Sequence, residues 1–221
     1  MEIACEAPLS WMKEVSKHTD YEYALAHRLI GDKNYFKHFQ LAIKAGRRVM
    51  LDNSAFELGE SFTGQDLLNV YKELAIVEKC FKNNNYLSRN VFVIAPDVLG
   101  DRKANHSAIM DFKTLAIEQL GLRVMKQIYA TVQGSDQEDR INSFNELDLE
   151  GFSNFTIPGG WSMQDGKMAR EPESSRLEFF KGIFPLRSQN FHLLGCMDPS
   201  LVYLYRYSGH KIKSIDTSFP I

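Results

Sequence analysis

Short, continuous apolar runs recur along this chain, each closed by a polar residue or by Gly or Pro. They fall at Ile3–Cys5, Val49–Leu51, Val91–Ala95, Ile128–Val132, Phe155–Ile157, Phe191–Leu194 and Ile212–Ile215. Continuous rather than alternating apolar character predicts strands buried on both faces, as in a parallel sheet. Helix-like stretches fill most of the gaps. Leu67, Leu68, Tyr71, Leu74, Ala75, Glu78 and Phe81 repeat at three- and four-residue spacing after Thr63, and Ile109, Phe112, Ala116 and Leu120 do so before Gly121, a candidate C-terminal glycine. Pro172 and Pro199 each fall where a helix begins, Pro199 behind the candidate cap Asp198. Tyr21–Ile30 and Tyr35–Ala45 read as two helices between the first two strands.

This β–α alternation predicts an α/β fold of the TIM-like (β/α) barrel kind, and 221 residues suit one such domain, spanning 1–221. Seven strands are legible, and six residues follow Ile215, so the expected barrel lacks its last strand and helices. Either it is incomplete, or a partner or an N-terminal element closes it. The segment from Gly159 to Glu171 reads as one long irregular loop, the kind that usually serves function.

Composition removes several classes. With 24% charged residues and a net charge of −2, any nucleic-acid contact must come from a local patch. Cys5, Cys80 and Cys196 form no CxxC pair, so neither a disulfide framework nor a zinc site is expected, and a reducing cytoplasm is the default. The start, MEIACEAP, lacks the pattern of a signal peptide, and no apolar run has the length of a membrane helix.

Polar residues and glycines gather where the predicted strands end: Asp52 and Asn53, Asp97, Gln133 and Gly134, Pro158-Gly159-Gly160, Gly195 and Asp216. In a parallel barrel these positions share one rim, where active sites are built. Carboxylates there supply a nucleophile and a general acid or base. A Gln side chain suits the edge of an amide-like ring, and glycines let a flat ring approach backbone N–H groups. Together they fit a heterocyclic base, with a carboxylate acting on the sugar carbon that carries it. Each residue singly also has a structural reading: a turn at Asp52-Asn53, a cap or turn at Asp97, a loop at Gln133-Gly134, a frayed end at Asp216. His192, inside a strand-like run, reads as a core or supporting histidine rather than a base. His18, His27, His38, His106 and His210 show no metal spacing. Glu57 either orients Asp52 or belongs to the following loop. Trp161 either stacks on a base or anchors the long loop, and Lys167 and Arg170, with Arg102 and Lys103, either touch phosphates or are solvated charge. No Gly-rich phosphate loop follows the last strands, which argues against a sugar-phosphate barrel enzyme.

The segment LDNSAFELGE resembles the DSGGFQ-like segment of the tRNA-guanine transglycosylase superfamily, and is closer to its shortened phage relatives that install 7-deazaguanines in DNA. VIAPDVLGD, ATVQGSDQED and FHLLGCMDPSLV resemble the later strand-end motifs of that family, in order, and SIDTSFP resembles the stretch that carries its nucleophile. The resemblance runs from about Leu51 to the C-terminus. It implies a barrel enzyme that breaks a base's N-glycosidic bond, with Asp216 as nucleophile at C1′ and Asp52 as general acid/base. Asn53, Asp97, Gln133, Gly134, Gly159, Gly160 and Gly195 would hold the base, and Trp161, Lys167 and Arg170 would meet the nucleic acid. The tRNA enzymes of the family carry a zinc module after the nucleophile; here its cysteines are absent, Ser54-Ala55 replaces the double glycine, and the Arg of the PTR segment is missing. These departures point to DNA carrying a modified, flipped-out base as the partner. No cofactor or metal is expected. The outcome is either hydrolysis, as a DNA glycosylase, or base exchange with a free nucleobase as second substrate, in phage DNA modification or in anti-phage defence. tRNA base exchange and a catalytically idle nucleic-acid-binding barrel are the alternatives.

Overall fold

The computed structural model describes residues 1–60, 62–78, 88–159, 161–164, 167–170, 174–183, 189–195 and 212–217; for 161–164, 167–170 and 174 it describes the backbone alone. In chain order the elements are β1 (Glu2–Cys5), α1 (Leu9–Val15), β2 (Glu22–Leu25), α2 (Ala26–Gly31), α3 (Lys33–Lys44), β3 (Val49–Asp52), α4 (Ala55–Leu58), α5 (Gly64–Ala75), β4 (Val91–Ile94), α6 (Arg102–Leu120), β5 (Ile128–Thr131), α7 (Gln137–Leu149), β6 (Asn154–Ile157), β7 (Trp161–Gln164), β8 (Lys167–Arg170), α8 (Ser174–Gly182), β9 (Asn190–Leu193) and β10 (Ile212–Thr217).

Eight strands form one parallel sheet in the order β1-β10-β9-β6-β5-β4-β3-β2, curled into a nearly closed TIM-like barrel. β10 returns to β1 with Ala4 opposite Asp216. The ladder stops between β1 and β2, where the Asp20 N–H donates to the Ile3 carbonyl (2.9 Å) and the Ile3 N–H to the Asp20 carboxylate (2.9 Å).

The eighth strand is therefore the second in the chain, not one beyond Ile215, and this corrects the single helix expected over Tyr21–Ile30. Glu22–Leu25 is extended and wholly buried, and the chain turns into α2 at Ala26 with no Gly or Pro between. Neighbouring strands decide it. Tyr21, Tyr23 and Leu25 pack inside the barrel, while Ala24 packs against the helices. Glu22 is held by Arg47 (2.5 Å) and by the Ser16 hydroxyl (3.1 Å). A residue string that could serve either state takes the one that fills the gap in the sheet.

A second correction concerns Gly159–Glu171. Within it β7 and β8 pair as an antiparallel hairpin, Trp161 opposite Arg170. Their sequences flank Asp165-Gly166, a pair that favours tight hairpin turns.

Apart from Tyr21–Ile30, the helix caps and buried faces fall as expected among the described residues. Thr63 caps α5 by accepting from the Asp66 N–H (3.2 Å), and Leu67, Leu68, Tyr71, Leu74 and Ala75 are its buried face. Gly121 ends α6 with φ of 81°. Asp32 caps α3, accepting from Asn34 (2.8 Å) and Tyr35 (3.1 Å). Phe81, Pro172, Asp198 and Pro199 lie outside the described residues. Among the described residues no helix is long and apolar enough to cross a membrane.

Two apolar layers result. The larger lies between strands and helices, and includes an aromatic cluster of Phe144, Phe155, Phe179, Phe180 and Phe191. The smaller fills the barrel itself with Ala4, Tyr21, Tyr23, Leu25, Met50, Ile94 and Tyr129. Strand side chains alternate with period two. Asp52 thus stands two residues above inward Met50, and Asp216 two above Ser214, both over the barrel's mouth.

Candidate active site

The turn after β3 determines how Asp52 is presented. Ser54 takes the left-handed conformation (φ 60°), the one non-glycine residue with positive φ among those described. That bend brings the Ser54 N–H onto Asp52 Oδ1 (2.6 Å) and the Ala55 N–H onto Asn53 Oδ1 (2.9 Å). The Tyr23 hydroxyl donates to Asp52 Oδ2 at 2.5 Å. Burial pushes the Asp52 carboxyl up to about 8, with the charges of Glu57 and Asp97 adding to the rise and the bonds from Tyr23 and Ser54 opposing it. Glu57 is exposed and acts on Asp52 through charge rather than a hydrogen bond. Beside it α4 turns Phe56 and Leu58 outward, 54% and 48% exposed, as an apolar lip.

Asp97 lies at the centre of a second network. Asn53 Nδ2 donates to Asp97 Oδ1 (2.8 Å) and to the Ala95 carbonyl (2.6 Å), and Gln133 Nε2 donates to Asp97 Oδ2 (2.6 Å). Gln133 Oε1 accepts from the Gly100 N–H (3.3 Å). Asp97 is not a helix cap. That role belongs to Asp101, which accepts from Ala104 (3.0 Å), and Asp136 caps α7, which frees Gln133 to face Asp97. Burial raises the Asp97 carboxyl, and the amides of Gln133 and Asn53 counter it. The result is a hydrogen-bonded carboxyl–amide array on the ends of β3, β4 and β5.

Asp216, on β10, completes the rim. His192 Nε2 lies 2.9 Å from Asp216 Oδ1, and the Gly195 N–H donates to Oδ2 (3.0 Å). The Tyr23 ring, bonded at its hydroxyl to Asp52, stacks parallel to His192 with centroids 6.2 Å apart. One aromatic layer therefore links the surroundings of both carboxyls.

The glycines divide by role. Gly195 has φ of 56° and open space where a Cβ would stand, so its N–H serves Asp216. A Cβ on Gly134 would come within 2.7 Å of the Arg140 backbone nitrogen, so that glycine is required by close packing on α7. A Cβ on Gly159 would meet Arg176 Nη2 at 2.7 Å. These contacts assign Gly134 and Gly159 a packing role, beside the base contact that the resemblance implies. Gly160 lies outside the described residues, as do the side chains of Trp161, Lys167 and Arg170 on the hairpin strands.

Sequence reasoning missed several residues at or beneath the rim. Tyr21 and Tyr23 were concealed in a presumed helix, although their i, i+2 spacing marks one face of a strand. Glu6 directly follows β1 and donates its N–H to the Thr217 carbonyl (2.9 Å). Burial raises its carboxyl, the charges of Glu57 and Asp216 add to the rise, and Arg28 opposes it.

Arg176, from α8, had no signal at all. Its buried guanidinium donates to the Pro158 carbonyl (2.9 Å) and to that of Leu194. The Leu194–Gly195 peptide thus accepts from Arg176 at its oxygen and donates to Asp216 at its nitrogen. Arg176→Met leaves two buried carbonyls without this donor, and a loss on the order of 2–5 kcal/mol is expected. Urea unfolding checks this; a loss below about 1 kcal/mol contradicts the clamp.

Among the described residues no group of three or more His, Cys, Asp and Glu side chains is arranged to hold a metal ion. No protein-family model matches this chain, and no curated protein matches it either.

Proposed function

We propose that this chain cleaves the N-glycosidic bond of a modified nucleobase in DNA, as a relative of the tRNA-guanine transglycosylase superfamily. One observation carries the reading: both rim carboxyls are buried and bonded at both oxygens, but by different partners, Tyr23 and Ser54 for Asp52, His192 and Gly195 for Asp216. Asp52 is buried with its carboxyl raised to about 8, so it holds a proton at neutral pH. Asp216 is anchored at both oxygens, by His192 and by the Gly195 N–H. In this reading Asp52 is the proton donor and Asp216, held by His192 and Gly195, the nucleophile.

In the proposed reaction an Asp216 oxygen attacks C1′ and forms a C–O bond. The C1′–N bond breaks, its electron pair stays with the base, and the proton of Asp52 passes to the departing base. Asp52, now ionised, then takes a proton from water or from an incoming base. That nucleophile displaces Asp216 and leaves an abasic site or an exchanged base. Asp97, Asn53 and Gln133, bonded to one another, would offer their polar groups to the base, and the apolar lip of Phe56 and Leu58 suits an unstacked nucleotide.

The test is incubation with genomic DNAs of differing base modification, followed by mass spectrometry of released bases and assay of abasic sites. Release from one modified DNA is the expected result. Labelled base entering tRNA but not DNA replaces the DNA reading with tRNA exchange. Binding without product from any nucleic acid leaves the idle barrel.

A further inference from the structure

His192 is 0% exposed and belongs to the barrel interior, yet it is the side chain that touches Asp216. On β9 it stands in register with Ser214 of β10, and its ring leans upward along that strand. Nδ1 meets Ser214 Oγ at 2.9 Å and Nε2 meets Asp216 Oδ1 at 2.9 Å. One imidazole thus spans the two inward residues of its neighbour strand. Its plane is set on three sides: Tyr23 is stacked at an interplanar angle of 16°, and Tyr21 and Tyr129 are edge-on with centroids 6.2 and 6.3 Å away.

The partners determine where the ring protons lie. An ionised carboxylate only accepts, so the bond to Asp216 needs a proton on Nε2. The Tyr21 hydroxyl lies 3.4 Å from Nδ1, but its one proton goes to the Ile215 carbonyl at 2.7 Å. That leaves the Ser214 hydroxyl, which also lies within hydrogen-bond reach of Tyr21, to donate to Nδ1.

We infer that His192 is a positioning residue, whose Nε2–H holds the Asp216 carboxylate toward the rim while Ser214 donates to Nδ1. The carboxylate is then fixed by His192 at one oxygen and by Gly195 at the other, which leaves its remaining lone pairs for C1′. What Asp216 is held for rests on the proposed function; the proton arrangement does not. Misplacing a reacting atom by about 1 Å can cost about 100-fold in rate, so this fixing acts on kcat rather than on binding.

Nitrogen-15 spectra of histidine-labelled protein test the arrangement without substrate. The expected pattern is a protonated Nε2 and a bare Nδ1 on a ring whose Nε2–H signal moves in Asp216→Ala. Any other protonation pattern, or an unmoved signal, overturns the inference. In turnover, His192→Ala lowers kcat about 100-fold with KM within twofold, and His192→Gln, which keeps an N–H donor, recovers at least about tenfold of that loss. Wild-type kcat in His192→Ala overturns it. If the alanine variant does not fold, the glutamine variant and the wild-type spectra still decide. If wild-type protein releases no base from any DNA, the proposed function fails while the spectra still judge His192.

Discussion

Asp216→Ala abolishes base release while the barrel remains folded. Under the proposed mechanism Asp216 forms the bond to C1′, and no other described carboxyl shares its pair of anchors. Removing a nucleophile that works as a unit with its supports costs on the order of 10⁴-fold or more in kcat. The structural cost is small by comparison. The side chain sits at the mouth, and its loss releases one N–H of Gly195 and one of His192. Turnover and circular dichroism measured together separate the two effects. A covalent protein–DNA adduct, seen on denaturing gels with wild-type protein and absent with the variant, identifies the bond directly. Asp216→Ala turnover within tenfold of wild type removes Asp216 from that role.

The second large effect belongs to Asp52. Asp52→Asn keeps the shape, with its one amide oxygen accepting from Tyr23 or from the Ser54 N–H but not both, and carries no transferable proton, so kcat falls by about 10²–10⁴-fold. The wild-type rate should also decline as pH rises through about 8, where the carboxyl gives up its proton, and the variant's residual rate should lack that limb. Stability follows the same group with a definite sign. Between its ordinary value of 3.8 and about 8, Asp52 is protonated in the folded chain and ionised in the unfolded one. Folding therefore takes up a proton, and stability drops as pH rises across that window. Asp52→Asn removes this dependence and becomes the more stable protein at pH 8 by on the order of a kcal/mol or more. Urea unfolding at pH 5 and pH 8 reads the difference. A variant less stable than wild type at both values contradicts the burial of a costly carboxyl.

Activity and stability thus pull apart at Asp52. The burial that keeps a proton available also disfavours the ionised form, and Glu57 and Asp97 strengthen the effect through their charge. Tyr23 opposes it, and reaches Asp52 because β2 is a strand.

β2 marks the limit of what was legible. Strands such as β3 and β5 were readable because continuous apolar residues end abruptly in polar ones, a pattern that only burial on both faces explains. Tyr21–Ile30 lacks such an ending, since strand passes into α2 at Leu25–Ala26 without punctuation. Local preference predicted a helix there, and pairing with β3 made its first half a strand.

The same division runs through the site. Asp52, Asn53, Asp97, Gln133 and Asp216 announced themselves as polar residues ending apolar runs, and the C-terminal ends of parallel barrel strands share a common rim. Their partners gave no such sign. His192 reads as a core or supporting histidine without naming what it supports, and Arg176 carries no signal. Each gains its meaning from a strand distant in sequence: His192 from Ser214 and Asp216, Arg176 from Pro158 and Leu194. From sequence alone came the parallel α/β class, the rim and the carboxyls on it, because periodicity and strand endings are local. How the barrel closes, why burial raises the Asp52 carboxyl and which carboxyl is held by histidine and glycine were decided by the tertiary structure. Burial and hydrogen bonding between distant strands exist only once the sheet has curled.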